Sequence, residues 1–175
     1  RVNAPPTAAI TLPANQSVHQ AGATINFSGS GGDPEDGALT GASLVWTSNI
    51  DGQIGTGTSF SRTLSVGAHT ITLTATDSKG GTGSASVQIR VNAPPTATIT
   101  APANQSLHQV GAAINFSGSG SDSEDGALTG ASLVWISNID GQIGTGTTFS
   151  RTLSIGVHTI TLTATDSKGA TGTAS

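Results

Sequence analysis

The chain carries ten carboxylates, four histidines and no cysteine. The carboxylates are one set of five used twice: Asp33, Glu35, Asp36, Asp51 and Asp77, then Asp122, Glu124, Asp125, Asp140 and Asp166. Three of each set crowd into one short loop, GGDPEDG in the first case and GSDSEDG in the second. Carboxylate and carbonyl oxygens without a histidine or thiolate beside them are hard ligands, and they suit Ca²⁺, which takes six to eight oxygens. The expected metal set is Asp33, Glu35, Asp36 and Asp77 with carbonyls near Asn3. Its second copy is Asp122, Glu124, Asp125 and Asp166 with Asn92. The competing reading is that Asp and Gly simply build turns there, because D-x-E-D-G is shorter and looser than an EF-hand loop.

Other chemistry has less to stand on. The histidines are His19 and His69 with their repeats His108 and His158. A Ser-His-Asp arrangement using His69 and Asp77 fails on distance, since eight residues of strand at 3.3 Å each put them about 26 Å apart. No nucleophile elbow, zinc spacing or phosphate loop is present. We therefore expect no enzymatic activity and no cofactor other than calcium. Sugar stacking needs exposed aromatic rings, and Trp46, Trp135 and four Phe all sit at strand positions with no Tyr beside them. Net charge is −4 with only six Lys and Arg, which argues against binding nucleic acid through its phosphates. No apolar run approaches the roughly 18 residues of a membrane span, so no direct membrane insertion is expected.

The elements that must hold these residues read as strands. TAAITL (Thr7–Leu12), TINFSGS (Thr24–Ser30), SLVWTS (Ser43–Ser48), SFSRTL (Ser59–Leu64), HTITLTATD (His69–Asp77) and SASVQIRV (Ser84–Val91) are short runs bounded by turn residues. His69, Ile71, Leu73 and Ala75 alternate with threonines, the mark of a strand with one buried and one wetted face. DSKGG (Asp77–Gly81) predicts a hairpin turn. A further strand near Gln53–Thr56 brings the count to about seven, the number of an immunoglobulin-like sandwich. Arg62 shares the inward parity of Phe60 and Leu64, so it calls for a bulge or for an edge strand from which it reaches outward. His19 falls in NQSVHQ, read as a polar connection.

The whole unit is then written again. Val2–Ser86 aligns on Val91–Ser175 without gaps and with 13 differences in 85 positions. The expected fold is all-β: two tandem immunoglobulin-like β-sandwich domains, residues 1–90 and 91–175, the second with its final strand incomplete. Counterparts of Val87, Ile89 and Val91 are missing after Ser175. The plain expectation is that the repeat continues in a parent protein; the alternative is a strand donated by a neighbouring chain, which would build a fibre. The joint VNAPPT contains two consecutive prolines and is expected to be short and stiff.

The ordered set of a Pro-Pro start, INFSGSGGDPEDG, LVW, HTITLTATDSKG and SASVQIRV resembles the bacterial immunoglobulin-like and PKD-like domains. WTSNIDG (Trp46–Gly52) departs from the aromatic-rich stretch of PKD domains, so the broader label fits better. The resemblance implies tandem repeats of a surface adhesin, extracellular fibre or secreted hydrolase. It points to a non-enzymatic stalk or fibre outside the cell or on a bacterial cell surface, partnered by neighbouring copies of the same repeat. The alternative is an accessory spacer or substrate-binding module of a secreted hydrolase.

Overall fold

The computed structural model describes residues 2–175. It divides into two compact units, Arg1–Asn92 and Ala93–Ser175.

In the first unit the strands are β1 (Thr7–Leu12), β2 (Ser17–Gln20), β3 (Ile25–Asp33), β4 (Gly37–Leu39), β5 (Leu44–Ser48), β6 (Gly52–Thr56), β7 (Ser59–Arg62), β8 (Gly67–Thr76) and β9 (Thr82–Asn92). One sheet is built on β3, with β1 on one side and β4 and β7 on the other. The facing sheet runs β2-β9-β8-β5-β6. All pairings are antiparallel except β2 with β9, which is parallel. This is an immunoglobulin-like sandwich.

The core lies between the sheets and follows the alternation of each strand. Ile25 and Phe27 come from β3, Leu44 and Trp46 from β5, Ile71, Leu73 and Ala75 from β8, and Ile89 and Val91 from β9. Its centre is aromatic. Phe27 and Phe60 stack at 4.7 Å, and Trp46 meets both edge-on at 5.8 and 5.7 Å. Such geometry suits the ring quadrupoles. The buried indole N–H donates to the Gly57 carbonyl at 2.9 Å, so Trp46 keeps no unpaired polar atom in the core. Glycine seats the rings. A Cβ on Gly29 would lie 2.9 Å from Trp46 Cζ2 and 2.6 Å from the Ala9 carbonyl, and one on Gly55 would lie 2.6 Å from the Phe60 ring.

The second unit repeats this with β10 (Thr96–Ala101), β11 (Ile114–Asp122), β12 (Gly126–Leu128), β13 (Leu133–Ser137), β14 (Gly141–Thr145), β15 (Thr148–Arg151), β16 (Ile160–Thr165) and β17 (Thr171–Ala174). The sheets are β10-β11-β12 with β15 on β11, and β14-β13-β16-β17. Phe116, Phe149 and Trp135 reproduce the aromatic centre.

Two local expectations need amendment, and a third, left open between two solutions, is decided. β3 continues through Gly31 and Gly32 to Asp33, beyond the Ser30 boundary read from sequence. Residues 17–20 form a strand rather than a loose connection, held by β9 alone. Arg62 lies on a strand that pairs only with β3 and is exposed, where its guanidinium donates to the Ile54 carbonyl at 3.1 Å. The edge-strand solution is the one the chain uses.

Candidate functional site

The acidic loop, the last hairpin and the entering chain meet at one end of each sandwich. In the first unit the loop between β3 and β4 carries Asp33, Glu35 and Asp36, and the turn between β8 and β9 carries Asp77. Asp33 is buried, and its Oδ1 accepts the backbone N–H groups of Glu35 at 2.9 Å and Asp36 at 2.8 Å. The side chain thus closes its own turn. Asp36 reaches across to the hairpin and accepts Ser78 N–H at 2.6 Å and Ser78 O–H at 3.0 Å. Asp77 Oδ1 accepts the N–H groups of Lys79 and Gly81, both at 2.8 Å, and its Oδ2 accepts the Asn3 amide at 2.7 Å. Glu35 Oε1 takes the Ala4 N–H at 3.4 Å.

The second unit repeats the pattern. Asp122 Oδ1 accepts from Glu124 and Asp125 at 2.8 and 2.9 Å, and Asp125 accepts both Ser167 donors. Asp166 Oδ1 accepts from Lys168 and Ala170, and Glu124 Oε1 accepts from Ala93 at 3.4 Å. Ser123, standing where the first unit has Pro34, donates to Glu124 Oε2. Asn92 ends β9, and its amide donates to Gln20 Oε1 at 3.3 Å.

The expected convergence of loop, hairpin and linker is therefore present. Most of the carboxylate oxygens are already committed to N–H and O–H donors, which holds the three segments together. Hydrogen bonding to the ionised form lowers a carboxyl pKa. Asp77 lies below the usual carboxylate range, mainly through the Asn3 amide and then through the Lys79, Gly81 and Gly80 N–H groups. Among the described residues one buried carboxylate oxygen per unit is left over: Oδ2 of Asp33 and of Asp122 has no hydrogen-bond partner there. Among the described residues no three His, Cys, Asp or Glu side chains gather closely enough to hold a metal ion.

Asp51 and Asp140 work elsewhere. Each accepts a backbone N–H, from Ser65 and Ser154 respectively, at 3.0 Å. Both carboxyls are lowered, chiefly by that serine's side chain, with its backbone N–H contributing.

A polar network that sequence reading missed lies inside the first sandwich. His69 is 1% exposed, and its Nε2 lies 2.7 Å from the Ser65 carbonyl, which can only accept. Nε2 therefore carries the proton, and the neutral ring leaves Nδ1 as an acceptor for Ser48 O–H at 2.7 Å. Ser48 Oγ in turn accepts the N–H groups of Ile50 and Asp51. Every polar atom is used. The signal was available: Ser48 and His69 share the inward parity of Trp46 and Ile71 on paired strands. A catalytic pair would orient the far imidazole nitrogen with a carboxylate and leave the hydroxyl open to substrate. Here the far nitrogen faces a carbonyl and Ser48 is buried.

No protein-family model matches the chain, and no curated protein matches its sequence. Solved structures similar to it include fibronectin(III)-like modules of Clostridium thermocellum CbhA, at 21% identity and TM-score 0.45 over 95% of this chain and 89% of that one. Another is Rst D1-D2, at 11% identity and TM-score 0.42 over 96% of each. A bacterial ice-binding adhesin gives 18% identity and TM-score 0.35, covering 100% of this chain and 65% of that one. The assignment of the fold rests on the strand pairing above.

Proposed function

We propose that the chain is a non-enzymatic structural repeat of a bacterial cell-surface or extracellular protein, a stalk or fibre segment of immunoglobulin-like, PKD-like type. The observation that carries this reading is the distribution of the 13 differences between the copies. None falls on the aromatic centre, its glycine seats, the acidic loop carboxylates or the Ser48–His69 pair. Each unit has its own core, and the two are joined through consecutive prolines that favour an extended joint. A unit copied with its interior intact and no catalytic constellation assembled serves as length. Small-angle scattering tests this: an elongated particle is expected, and a compact pair of folded-together domains would overturn it.

Calcium at the acidic loops is a second reading, supported by one observation. A buried anionic oxygen without a donor, as at Asp33 and Asp122 Oδ2, invites a cation. The ligands would be Asp33, Glu35, Asp36 and Asp77, and Asp122, Glu124, Asp125 and Asp166, which must close in on the ion from where they stand, since among the described residues no three lie near enough to hold one. Isothermal titration with CaCl₂ decides. A heat of binding lost in Asp33→Asn together with Asp122→Asn supports the site, and no heat at millimolar calcium rejects it.

A further inference from the structure

The chain holds one aspartyl-prolyl bond, Asp33–Pro34, in the acidic loop of the first unit; the second unit has Asp122–Ser123 at that place. Such a bond is open to attack by its own side chain. A carboxylate is a competent nucleophile, and that of aspartate reaches its own main-chain carbonyl carbon through a five-membered ring. Proline nitrogen is a tertiary amide with no N–H. It is more basic than an ordinary peptide nitrogen and leaves more readily once it takes a proton. What matters is how the fold holds the carboxylate.

Asp33 is 6% exposed, yet only one of its two carboxylate oxygens is engaged. Oδ1 accepts the N–H groups of Glu35 and Asp36. Both donors lie beyond Pro34, so these bonds bend the carboxylate back over the Asp33–Pro34 bond. Oδ2 is buried without a hydrogen-bond partner among the described residues. As the anion it has neither water nor a donor to quiet its lone pairs, so it is oriented and desolvated at once. Pro34 and Glu35, by contrast, are exposed, and water reaches the leaving nitrogen. The loop cannot unwind to relieve the arrangement. Asp33 pairs with Gly37 across it, and Asp36 is held by Ser78.

We propose that Asp33–Pro34 is a self-cleavage site. Asp33 Oδ2 adds to the Asp33 carbonyl carbon, and the C–N bond to Pro34 breaks. The electron pair of that bond goes to the proline nitrogen, which takes a proton from solvent. The product is a cyclic anhydride of Asp33. Water then opens the ring and returns a proton to solvent, leaving Asp33 with two carboxylates and Pro34 with a free ammonium. Nothing is oxidised or reduced, and the only co-reactant is water. The event happens once per chain, with no turnover.

The cut falls between β3 and β4. β1, β2 and β3 stay on one piece and β4 to β9 on the other. β3 still pairs with β4 and β7, and β2 with β9, so the nicked unit stays folded and its strand pairing alone carries the chain across the break. The second unit is a built-in control. Asp122 Oδ1 accepts the same two N–H groups, and Asp122 Oδ2 is equally buried and unpartnered. Only the leaving group differs, and Ser123 is a secondary amide. The proposal stands apart from the calcium reading. An ion on Oδ2 would occupy the nucleophile, so the test is run in EDTA, and calorimetry and cleavage can fail separately.

The 175-residue chain is held in mildly acidic buffer, and its fragments are read by mass spectrometry in denaturant. Residues 1–33 and 34–175 are expected, with masses summing to the intact chain plus one water, at a first-order rate independent of protein concentration. The same chain unfolded in urea at that pH should cut about tenfold more slowly, because its carboxylate is neither oriented nor stripped of water. Asp33→Asn keeps an oxygen for the two N–H groups but loses the carboxylate, and should not cut; nor should Pro34→Ser. Ser123→Pro should gain a second cut, after Asp122. The proposal is overturned if the folded chain stays intact over weeks, if the unfolded chain cuts as fast, or if Asp33→Asn cuts at the unaltered rate. It is overturned too if Ser123→Pro, shown folded by hydrogen exchange, keeps the bond after Asp122 whole.

Discussion

Ser48→Ala and Ser137→Ala remove the same hydroxyl from the same network, yet they should not cost the same. In the first unit the substitution strands His69 Nδ1 in a closed core and frees the N–H groups of Ile50 and Asp51. Those two amides belong to a turn that water reaches, since Ile50 is exposed and Asp51 half-buried. The imidazole nitrogen has no such recourse. A buried acceptor left unpaired costs about 1–3 kcal/mol, and weakening the turn adds a few tenths, so Ser48→Ala should destabilise the first unit by about 2–3 kcal/mol. In the second unit Ser137 makes the matching contacts, to His158 Nδ1 at 2.8 Å and to the amides of Ile139 and Asp140. His158, however, is half-buried and its Nε2 partner belongs to the exposed Ser154, and water can replace the lost donor. There the cost should be about 1 kcal/mol. Hydrogen exchange against denaturant, read on peptides from each unit, gives both values in one chain. Equal losses in the two units would refute the reasoning, because they would place the network's worth in the turn rather than in the buried nitrogen.

Gly29→Ala should cost about 1–3 kcal/mol, because its Cβ would meet backbone and ring atoms at 2.6–2.9 Å; loss of the first unit's cooperative melting at a lower temperature checks it, and an unchanged midpoint would count against the seat. Asn3→Ala should raise the Asp77 carboxyl toward its ordinary value, which an NMR pH titration of the Asp77 carboxyl carbon reads directly. The sign for stability follows. A carboxyl held low when folded stabilises the unit above the unfolded value near pH 3.9, and the contribution disappears as pH falls through the lower folded value. Asn3→Ala should therefore weaken the first unit above about pH 4 and leave it unchanged in stronger acid; a loss of equal size at every pH would assign Asn3 a purely steric role.

The strands were legible where alternation is strict. His69–Thr76 has one inward row and one row of threonines, and the structure follows it residue by residue. Trp46 was legible because its neighbours at two-residue spacing are apolar on one side only. β2 was not, since Ser17–Gln20 holds no apolar alternation of its own and is a strand only because β9 offers it a partner. The far end of β3 was hidden for the opposite reason. Gly31 looks like a turn former, yet it is needed there for close approach, its Cβ position lying 2.5 Å from a Leu44 methyl. The acidic residues were legible as a cluster, but their use was not. Whether a carboxylate closes its own turn, as Asp33 does, or reaches a hairpin 42 residues away, as Asp36 does, depends on loop geometry that composition does not encode.

Near identity of the two units has a kinetic consequence. Two near-identical frameworks can each receive a segment of the Val87–Asn92 type, so a newly made chain faces a choice of partner for that strand. What decides it is tether length. Only the short Asp77–Gly81 turn separates β8 from β9, and a loop of that size closes on a timescale of tens of nanoseconds. The competing framework lies across an entire unit in sequence. Its closure is entropically dearer, and it must assemble first to offer an edge. The hairpin turn thus acts as a proofreading device for strand assignment. Lengthening it with flexible residues should let mispaired species accumulate during refolding, the failure that tandem near-copies are prone to.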